Sequence, residues 1–488
     1  MHRNKHPQGF SIFFLTEMWE RYGFYVLQSL LVFYALERLQ MGDSVTYAMV
    51  GSFTALAYIN SIFGGMIADN FIGYDKAVLT GAGLLSLGYL LLTLAANKHL
   101  DIPLLQHYLN NTHVFFLTLG LAIITVGTGM LKPNISSMLS MLYTSRPEQK
   151  EVGYTLFYVG IYFGAISGSF IGGYIKQYFG WGAVFASAVV GLMIAFVTFY
   201  LGRKKYGLYD NRNIVRSPQN VLKAIIIILV LIIIGFFGIH NESLATKLFS
   251  LIGILSAVYL VVNIVKHQGI ERKRLIAFAV LILFSVCYWA IYFQQFFSIS
   301  LCTARVTSLS LPESSFTAFE SLGVILFGPL INLFWLWLQK RNSDWSITAK
   351  FSASFLFNAI SFLILIFGLQ YAIAHNVLQN QIFIILAYLI IALGELFIAP
   401  TGLAMVSTLV PQRLNGAMMG LNLMSIGFGG KLAGLFAQAA VNENTHASIS
   451  VLEELYKGSF TYYFYFSLAT FIVCVLAIKP LNRLIQGK

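Results

Sequence analysis

The stretch EMWERYGFY, residues 17–25, places three charged side chains inside an apolar run that extends from residue 10 to residue 36. A helix of about 20 apolar residues can cross a bilayer, and this run is long enough. On a helix of 3.6 residues per turn, Glu17, Glu20 and Arg21 lie on one side. Charges at the centre of a membrane helix cost at least about 2.5–3.5 kcal/mol, so they usually face a bundle interior or a wet cavity. An ion pair of Glu17 with Arg21 is the structural alternative, but it would use only one of the two acids.

The composition of the whole chain excludes a soluble protein. Of its 488 residues 58% are hydrophobic and only 10% are charged, and long apolar runs follow one another to the end, which is typical of a polytopic all-α membrane protein. We predict fourteen transmembrane helices. They lie near residues 10–36, 46–68, 77–97, 113–132, 153–176, 181–201, 220–239, 245–266, 275–300, 315–338, 350–374, 381–410, 415–440 and 458–478.

The lysines and arginines are concentrated in alternate loops. The net charge of +12 is therefore explained by the positive-inside rule and gives no reason to expect nucleic acid. An even number of spans puts both termini on one side, and the charge bias makes that side the cytoplasm. The opposite loops hold few basic residues, such as Lys98 and Lys247, and carry acids, such as Glu242 and Glu443.

The order of the spans predicts two bundles with an insertion between them. Residues 1–202 are expected to form an N-terminal six-helix bundle. Residues 203–272 would hold a basic cytoplasmic linker and two extra helices, and residues 273–488 a C-terminal six-helix bundle.

Two further charges lie in apolar spans. Lys132 ends the fourth span and is followed by Pro133, which disturbs the helix where the charge is placed. One explanation of this charge is a wet cavity beside the helix. The other is an ammonium that extends to the lipid headgroups. Glu395 lies midway along its span without a basic residue within two turns, so it should be protonated or paired with a cation from another helix. A neutral Glu395 hydrogen-bonded to a neighbouring helix is the structural alternative.

Together these motifs resemble the proton-dependent oligopeptide transporter (POT/PTR) family of the major facilitator superfamily. Residues 17–25 are similar to its ExxERFxYY signature, and residues 129–136, GMLKPNIS, to its fourth-helix motif. Phe157-Tyr158 fits the start of its FYxxIN motif, and Glu395 falls at its tenth-helix position. The resemblance covers the whole chain, including the extra helix pair typical of bacterial members.

The resemblance implies a major facilitator fold and proton-driven import of di- and tripeptides across a bacterial inner membrane. It implies that Arg21 and Lys132, helped by Tyr25, hold the peptide carboxylate. Glu395 would meet the peptide amino group and exchange contacts with Lys132, and Tyr58 would line the pocket. Glu17 and Glu20 would join Arg21, Lys132 and Glu395 in proton coupling. No cofactor is implied, and a monomer is expected because the pathway lies within one chain.

The chain departs from the family pattern at several positions of the expected site. Phe24 replaces a tyrosine, Gln28 a gating arginine, and Phe293-Gln294 the pair Glu-Gln. The remaining changes are Tyr162 and Gly323 for asparagines, Asn422 for a tryptophan, and Glu320 for the glutamine of FQSLNP. Gln28 and Gln294 could form a neutral substitute for the gating pair, Glu320 adds an acid to the amino-end site, and Trp289 could line the pocket. Substrate range is therefore the property that these changes affect most.

Other classes of function fit less well. The spans contain no HExxH, no GxSxG and no paired aspartate ligands, so an intramembrane enzyme is not expected. A transport-like receptor would keep the same binding residues. The same fold could also carry another solute, such as an amino acid derivative, nitrate or a peptide-like drug.

Overall fold

A computed structural model describes most of the chain. The described residues are 6–97, 111–144, 146, 149–210, 212, 217–341, 343–438, 441 and 447–487. Lys98, Glu443 and residues 211 and 213–216 of the predicted linker lie outside them.

The helices are named here in chain order. They are α1 (Phe10–Phe33), α2 (Asp43–Ile67), α3 (Tyr74–Ala96), α4 (Thr112–Leu142), α5 (Lys150–Tyr206), α6 (Pro218–His240), α7 (Glu242–Lys266), α8 (Gly269–Tyr292), α9 (Ser298–Val306), α10 (Ala318–Lys340), α11 (Ile347–His375), α12 (Gln381–Leu409), α13 (Asn415–Gln438) and α14 (Ile449–Gln486). Two short strands, β1 (Thr307–Ser308) and β2 (Gln379–Asn380), pair in parallel.

The predicted all-α architecture is confirmed, because every predicted span corresponds to a helix. The fifth and sixth predicted spans form the single long helix α5, which is broken at Gly180, where φ is 79° and ψ is −179°. Eleven helices of the described residues are long and apolar enough to cross a membrane by length and composition. Helix α1 is not among them, since it carries three charged residues near its centre.

The predicted span 275–300 lies within one apolar segment, Gly269–Val306, that is long enough to cross a membrane, but the helix is interrupted inside it. The helix α8 ends at Tyr292, and a single 3-10 turn precedes α9. The break frees the backbone carbonyl of Gln295, which accepts hydrogen bonds from the hydroxyls of Ser300 at 2.6 Å and Tyr388 at 2.9 Å. An unsatisfied carbonyl within a membrane would cost several kcal/mol, so these two side chains make the break tolerable.

The chain divides into two compact units. The first comprises Met1–Met41 and Ser52–Glu242, and the second Gly42–Gly51 and Ser243–Lys488. The first unit therefore contains α1, α3 to α6 and most of α2. The second contains the beginning of α2 and the helices from α7 onward.

In the first unit, the segment after α5 is held by ion pairs. Arg203 contacts Asp75 at 2.7 Å, and Arg212 contacts both Asp69, at 2.7 Å, and Asp210, at 2.8 Å. Burial alone would raise the pKa of Asp210, but hydrogen bonds from Arg212 and from a backbone amide outweigh burial and lower that pKa below its ordinary value. These pairs fix the segment against the ends of α2 and α3.

Candidate functional site

A stripe of glycines on α5 positions the charged face of α1 in the first unit. The stripe consists of Gly160, Gly164, Gly168 and Gly172. A Cβ atom at Gly168 would lie 2.5 Å from the carbonyl oxygen of Tyr22, and one at Gly164 would overlap that of Met18. Small residues at four-residue spacing let two membrane helices approach backbone to backbone. These backbone contacts therefore fix the position of α1 against α5.

The three charges of α1 are buried together. The exposed fractions of Glu17, Glu20 and Arg21 are 1%, 1% and 3%. The guanidinium donates two hydrogen bonds to Glu20, from Nε at 2.5 Å and from Nη2 at 2.6 Å. Its Nε lies 3.7 Å from Glu17, which is too far for a hydrogen bond. The ion pair of Glu17 with Arg21, which was the structural alternative, is thus secondary to a forked pair with Glu20.

Glycines also bring α2 and α4 into contact. A Cβ atom at Gly64 would overlap the backbone of Gly129 and would lie 2.8 Å from the amide nitrogen of Met130. Next to this contact the side chain of Asn134 donates to the carbonyl of Gly64 at 3.2 Å. This backbone contact fixes the part of α4 that carries Lys132.

Lys132 faces its own unit. Its ammonium lies 5.2 Å from the centre of the Tyr58 ring, and it interacts electrostatically with Glu17. These interactions place the ammonium among other residues of the predicted site, and its role there stays a prediction. The phenol of Tyr25 interacts electrostatically with Arg21. The first unit thus gathers two cations, two acids and two tyrosines of the predicted site.

Three more residues of the predicted site in the first unit lie on α1 or α5. The amide of Gln28 donates to the hydroxyl of Thr54 at 3.4 Å. Phe24, which replaces a tyrosine, lies under the guanidinium of Arg21, with 4.6 Å between the guanidinium carbon and the ring centre. A cation over an aromatic face is attracted to it, so Phe24 still contacts the charge without a hydroxyl. Tyr162 is partly buried on α5.

In the second unit, Tyr292 joins two acids from different helices. Its hydroxyl lies 3.0 Å from Oε2 of Glu395 on α12 and 3.5 Å from Oε1 of Glu320 on α10. One hydroxyl therefore contacts an oxygen of each acid. The other oxygen of Glu320 accepts from the hydroxyl of Ser321 at 3.0 Å. The neighbour of Glu395 in its own unit is therefore a second acid.

Gly323 explains how α10 comes so close to α12. A Cβ atom at Gly323 would lie 2.7 Å from the Cβ of Ala392. Real Cβ atoms do not approach so closely, so the asparagine found there in the family pattern would not fit without a shift of one helix. Glu320 and Glu395 each lie one helical turn from this contact.

Two other predicted residues of the second unit lie on α8 and α13. Trp289 packs against Gly429 of α13 and edge-on to Tyr292, with 4.8 Å between ring centres. Asn422, which is 4% exposed, lies against Gly402.

Gln294 is completely buried. Its amide donates to the carbonyl of Ala433 at 2.9 Å, and its oxygen accepts from the hydroxyl of Ser298, also at 2.9 Å. Each glutamine of the suggested pair, Gln28 and Gln294, thus has hydrogen bonds within its own unit.

Sequence reasoning missed Tyr292 and Tyr288. Both lie on α8, and the hydroxyl of Tyr288 interacts electrostatically with Glu320 and Glu395. Their spacing of four residues puts them on one face of α8, as was predictable, but aromatic residues are so common in this chain that the spacing alone did not single them out.

The comparisons with known proteins agree with this arrangement of helices. Residues 75–452 match the sequence model of the POT family. Dipeptide and tripeptide permease A of Yersinia pestis is 27% identical over 468 residues, which cover 93% of this chain and 90% of the permease. Dipeptide and tripeptide permease B of Salmonella typhimurium is 26% identical, and the match covers 98% of this chain and 96% of the permease.

Solved structures give the same result for the fold. A crystal structure of a peptide transporter POT in complex with sulfate superposes with a TM-score of 0.83 at 24% identity, covering 99% of this chain and 97% of that one. A mutant of a peptide transporter POT in complex with alafosfalin has a TM-score of 0.83 at 25% identity, with the same coverage.

Proposed function

Because the chain belongs to the POT family, we propose that it is a proton-coupled symporter that imports di- and tripeptides by alternating access. Members of this family are transporters and not enzymes, and the curated relatives are named for transport of dipeptides and tripeptides. The observation that carries the proposal is the separation of charge between the units. Arg21 and Lys132 supply cations in the first unit, and Glu320 and Glu395 supply carboxyl groups in the second.

The cations fit the carboxylate end of a peptide. Arg21 has five N–H donors and uses two of them on Glu20. The remaining donors can reach a carboxylate, for which the planar guanidinium is well shaped. Lys132 would add a second positive charge, with Tyr58 and Tyr25 beside it.

The carboxyl groups fit the amino end. Glu395 is partly exposed, whereas Glu320 is 1% exposed. We therefore assign the ammonium contact to Glu395. Trp289 and Asn422 would border the pocket. Gln294 would support the pocket wall through the hydrogen bonds of its buried side chain.

Proton coupling would involve the buried acids. Glu17 lies near both Arg21 and Lys132, and a peptide carboxylate that binds these cations competes with it. Loss of its cationic partners favours protonation of an acid, so peptide binding and proton binding at Glu17 would support each other.

Location and assembly are part of the same proposal. The charge bias of the loops supports a bacterial inner membrane protein with both termini in the cytoplasm. A single chain would form the whole pathway, so a monomer would suffice. The functional division would follow residues 1–202, 203–272 and 273–488, with the middle segment serving as linker and extra helices.

The test is uptake of labelled dialanine by liposomes that contain the purified chain and carry an inward proton gradient. We expect uptake that collapses with the gradient, and we expect Glu395→Gln to abolish it. Glu454→Gln is the matched control, because Glu454 is half exposed and forms a surface ion pair with Lys457. Uptake that persists in Glu395→Gln, or after collapse of the gradient, would contradict the proposal.

A further inference from the structure

Glu320 on α10 and Glu395 on α12 lie at one hydroxyl, that of Tyr292, at 3.5 and 3.0 Å. Ionised carboxylates can only accept hydrogen bonds and repel each other, so two acids held this close in a buried place favour keeping one proton between them. The groups that donate hydrogen bonds to the pair are neutral hydroxyls. Tyr292 donates to Glu395, and Ser321 donates to Glu320. Neither neighbour brings a positive charge.

A third hydroxyl lies near this pair. Tyr288 is completely buried, and its hydroxyl has no hydrogen-bond partner among the described residues. It lies beside Gly394, where a Cβ atom would be 2.9 Å from it, and it interacts with both acids. A buried hydroxyl without a partner costs free energy, so its position indicates a donor kept for a state in which the pair carries more negative charge.

We propose that Glu320 and Glu395 share one proton, which Glu320 carries, and that this pair is the proton site of the second unit. This rests on the proposed transport function and adds the residue that couples it to the proton. The monoanionic pair presents the carboxylate of Glu395 to the peptide ammonium. When the proton leaves, the O–H bond of the Glu320 carboxyl breaks, the electron pair stays on its oxygen and the proton passes to water.

Among the described residues, titratable groups with contacts to the pair include Tyr288 and Tyr292 on α8 and Tyr388 on α12, which interacts with Glu320. All three are phenols that stay neutral near pH 7. A change in the charge of the pair at that pH is therefore a change at one of the two acids.

The decisive variant is Glu320→Gln. Glutamine has the shape of the protonated acid and can donate to Glu395, so it fixes the pair in its proton-loaded form. We expect the dependence of uptake on external pH and on the proton gradient to be lost. Glu454→Gln again serves as the control.

A second measurement does not depend on transport. Difference infrared spectroscopy of the wild-type protein between neutral and alkaline pH should contain the C=O band of a protonated carboxylic acid, and Glu320→Gln should lose that band. A full pH response or an unchanged band in Glu320→Gln would overturn the proposal. If wild-type liposomes do not take up dialanine while the band behaves as expected, the proposed substrate is wrong and the proton site stands.

If Glu320→Gln does not fold, Tyr292→Phe replaces it. Removing the donor to Glu395 should shift the pH midpoint of uptake, and an unshifted midpoint would overturn the proposal.

Discussion

The glycine pair at the end of α2 allows a sharp test of how Lys132 is positioned. Gly64 and Gly65 are adjacent in one helix, but only Gly64 touches α4. A Cβ atom at Gly64 would overlap the backbone of Gly129, whereas one at Gly65 would meet nothing within 4 Å. The change Gly64→Ala should therefore force α2 and α4 apart by roughly 1 Å, since backbone cannot yield as a side chain can.

The cost can be worked out from these contacts. Overpacking by one methyl group typically costs about 1–3 kcal/mol. The separation also strains the hydrogen bond from Asn134 to the carbonyl of Gly64, which is worth about 1 kcal/mol. We therefore expect Gly64→Ala to destabilise the protein by about 2–4 kcal/mol. Gly65→Ala should be neutral or slightly stabilising, because alanine favours a helix over glycine by about 0.5–1 kcal/mol.

The assay is thermal unfolding of the two variants in the same detergent, followed by uptake in liposomes. A loss of this size corresponds to a Tm lower by roughly 5–10 °C for a unit of this length. Uptake by Gly64→Ala should also fall, because Lys132 moves with α4 relative to Tyr58. Equal melting temperatures for Gly64→Ala and Gly65→Ala would refute the reasoning, since the contact with α4 is made at Gly64 and not at Gly65.

Two further changes test the ion pairs. Arg21→Lys keeps the charge but loses the fork to Glu20, so uptake should fall by about 10–100-fold, which corresponds to the roughly 1.5–3 kcal/mol of one charge-assisted hydrogen bond; unchanged initial rates of uptake would contradict a role for the fork. In the second unit Arg305 contacts both oxygens of Asp43, at 2.7 and 2.8 Å, and both side chains are partly exposed. A double-mutant cycle with Asp43→Ala and Arg305→Ala should give a coupling of about 1 kcal/mol in thermal stability, and additive effects of the two changes would show that the pair contributes nothing.

The buried charges could be predicted from the sequence because their cost is local. Glu17, Glu20, Arg21 and Lys132 stand out in apolar spans, and helical spacing alone puts the first three on one face. Which acid Arg21 prefers could not be predicted, since the choice between Glu17 and Glu20 depends on side-chain rotamers.

Contacts between distant helices could not be predicted in the same way. The break after α8 depends on Tyr388, which lies 93 residues from Gln295 in the chain. An apolar run has the same hydropathy whether or not its helix is broken, so the pattern gave no sign of the break. The hydroxyl of Tyr292 was missed for the same reason, because its partners come from α10 and α12.

The departures at Glu320 and Gly323 are best understood together. An acid at 320 is costly in a membrane unless it has donors, and Ser321 and Tyr292 supply them. Its approach to the hydroxyl of Tyr292 that Glu395 also contacts requires α10 to lie close to α12. Glycine at 323 permits this, since a Cβ there would lie 2.7 Å from that of Ala392. The asparagine amide lost at 323 and the carboxyl gained at 320 are thus two parts of one rearrangement. It replaces a neutral hydrogen-bonding side chain with a pair of acids that can hold or release a proton. It follows that restoring asparagine at 323 alone should not restore the family's arrangement, because the helices would first have to move apart.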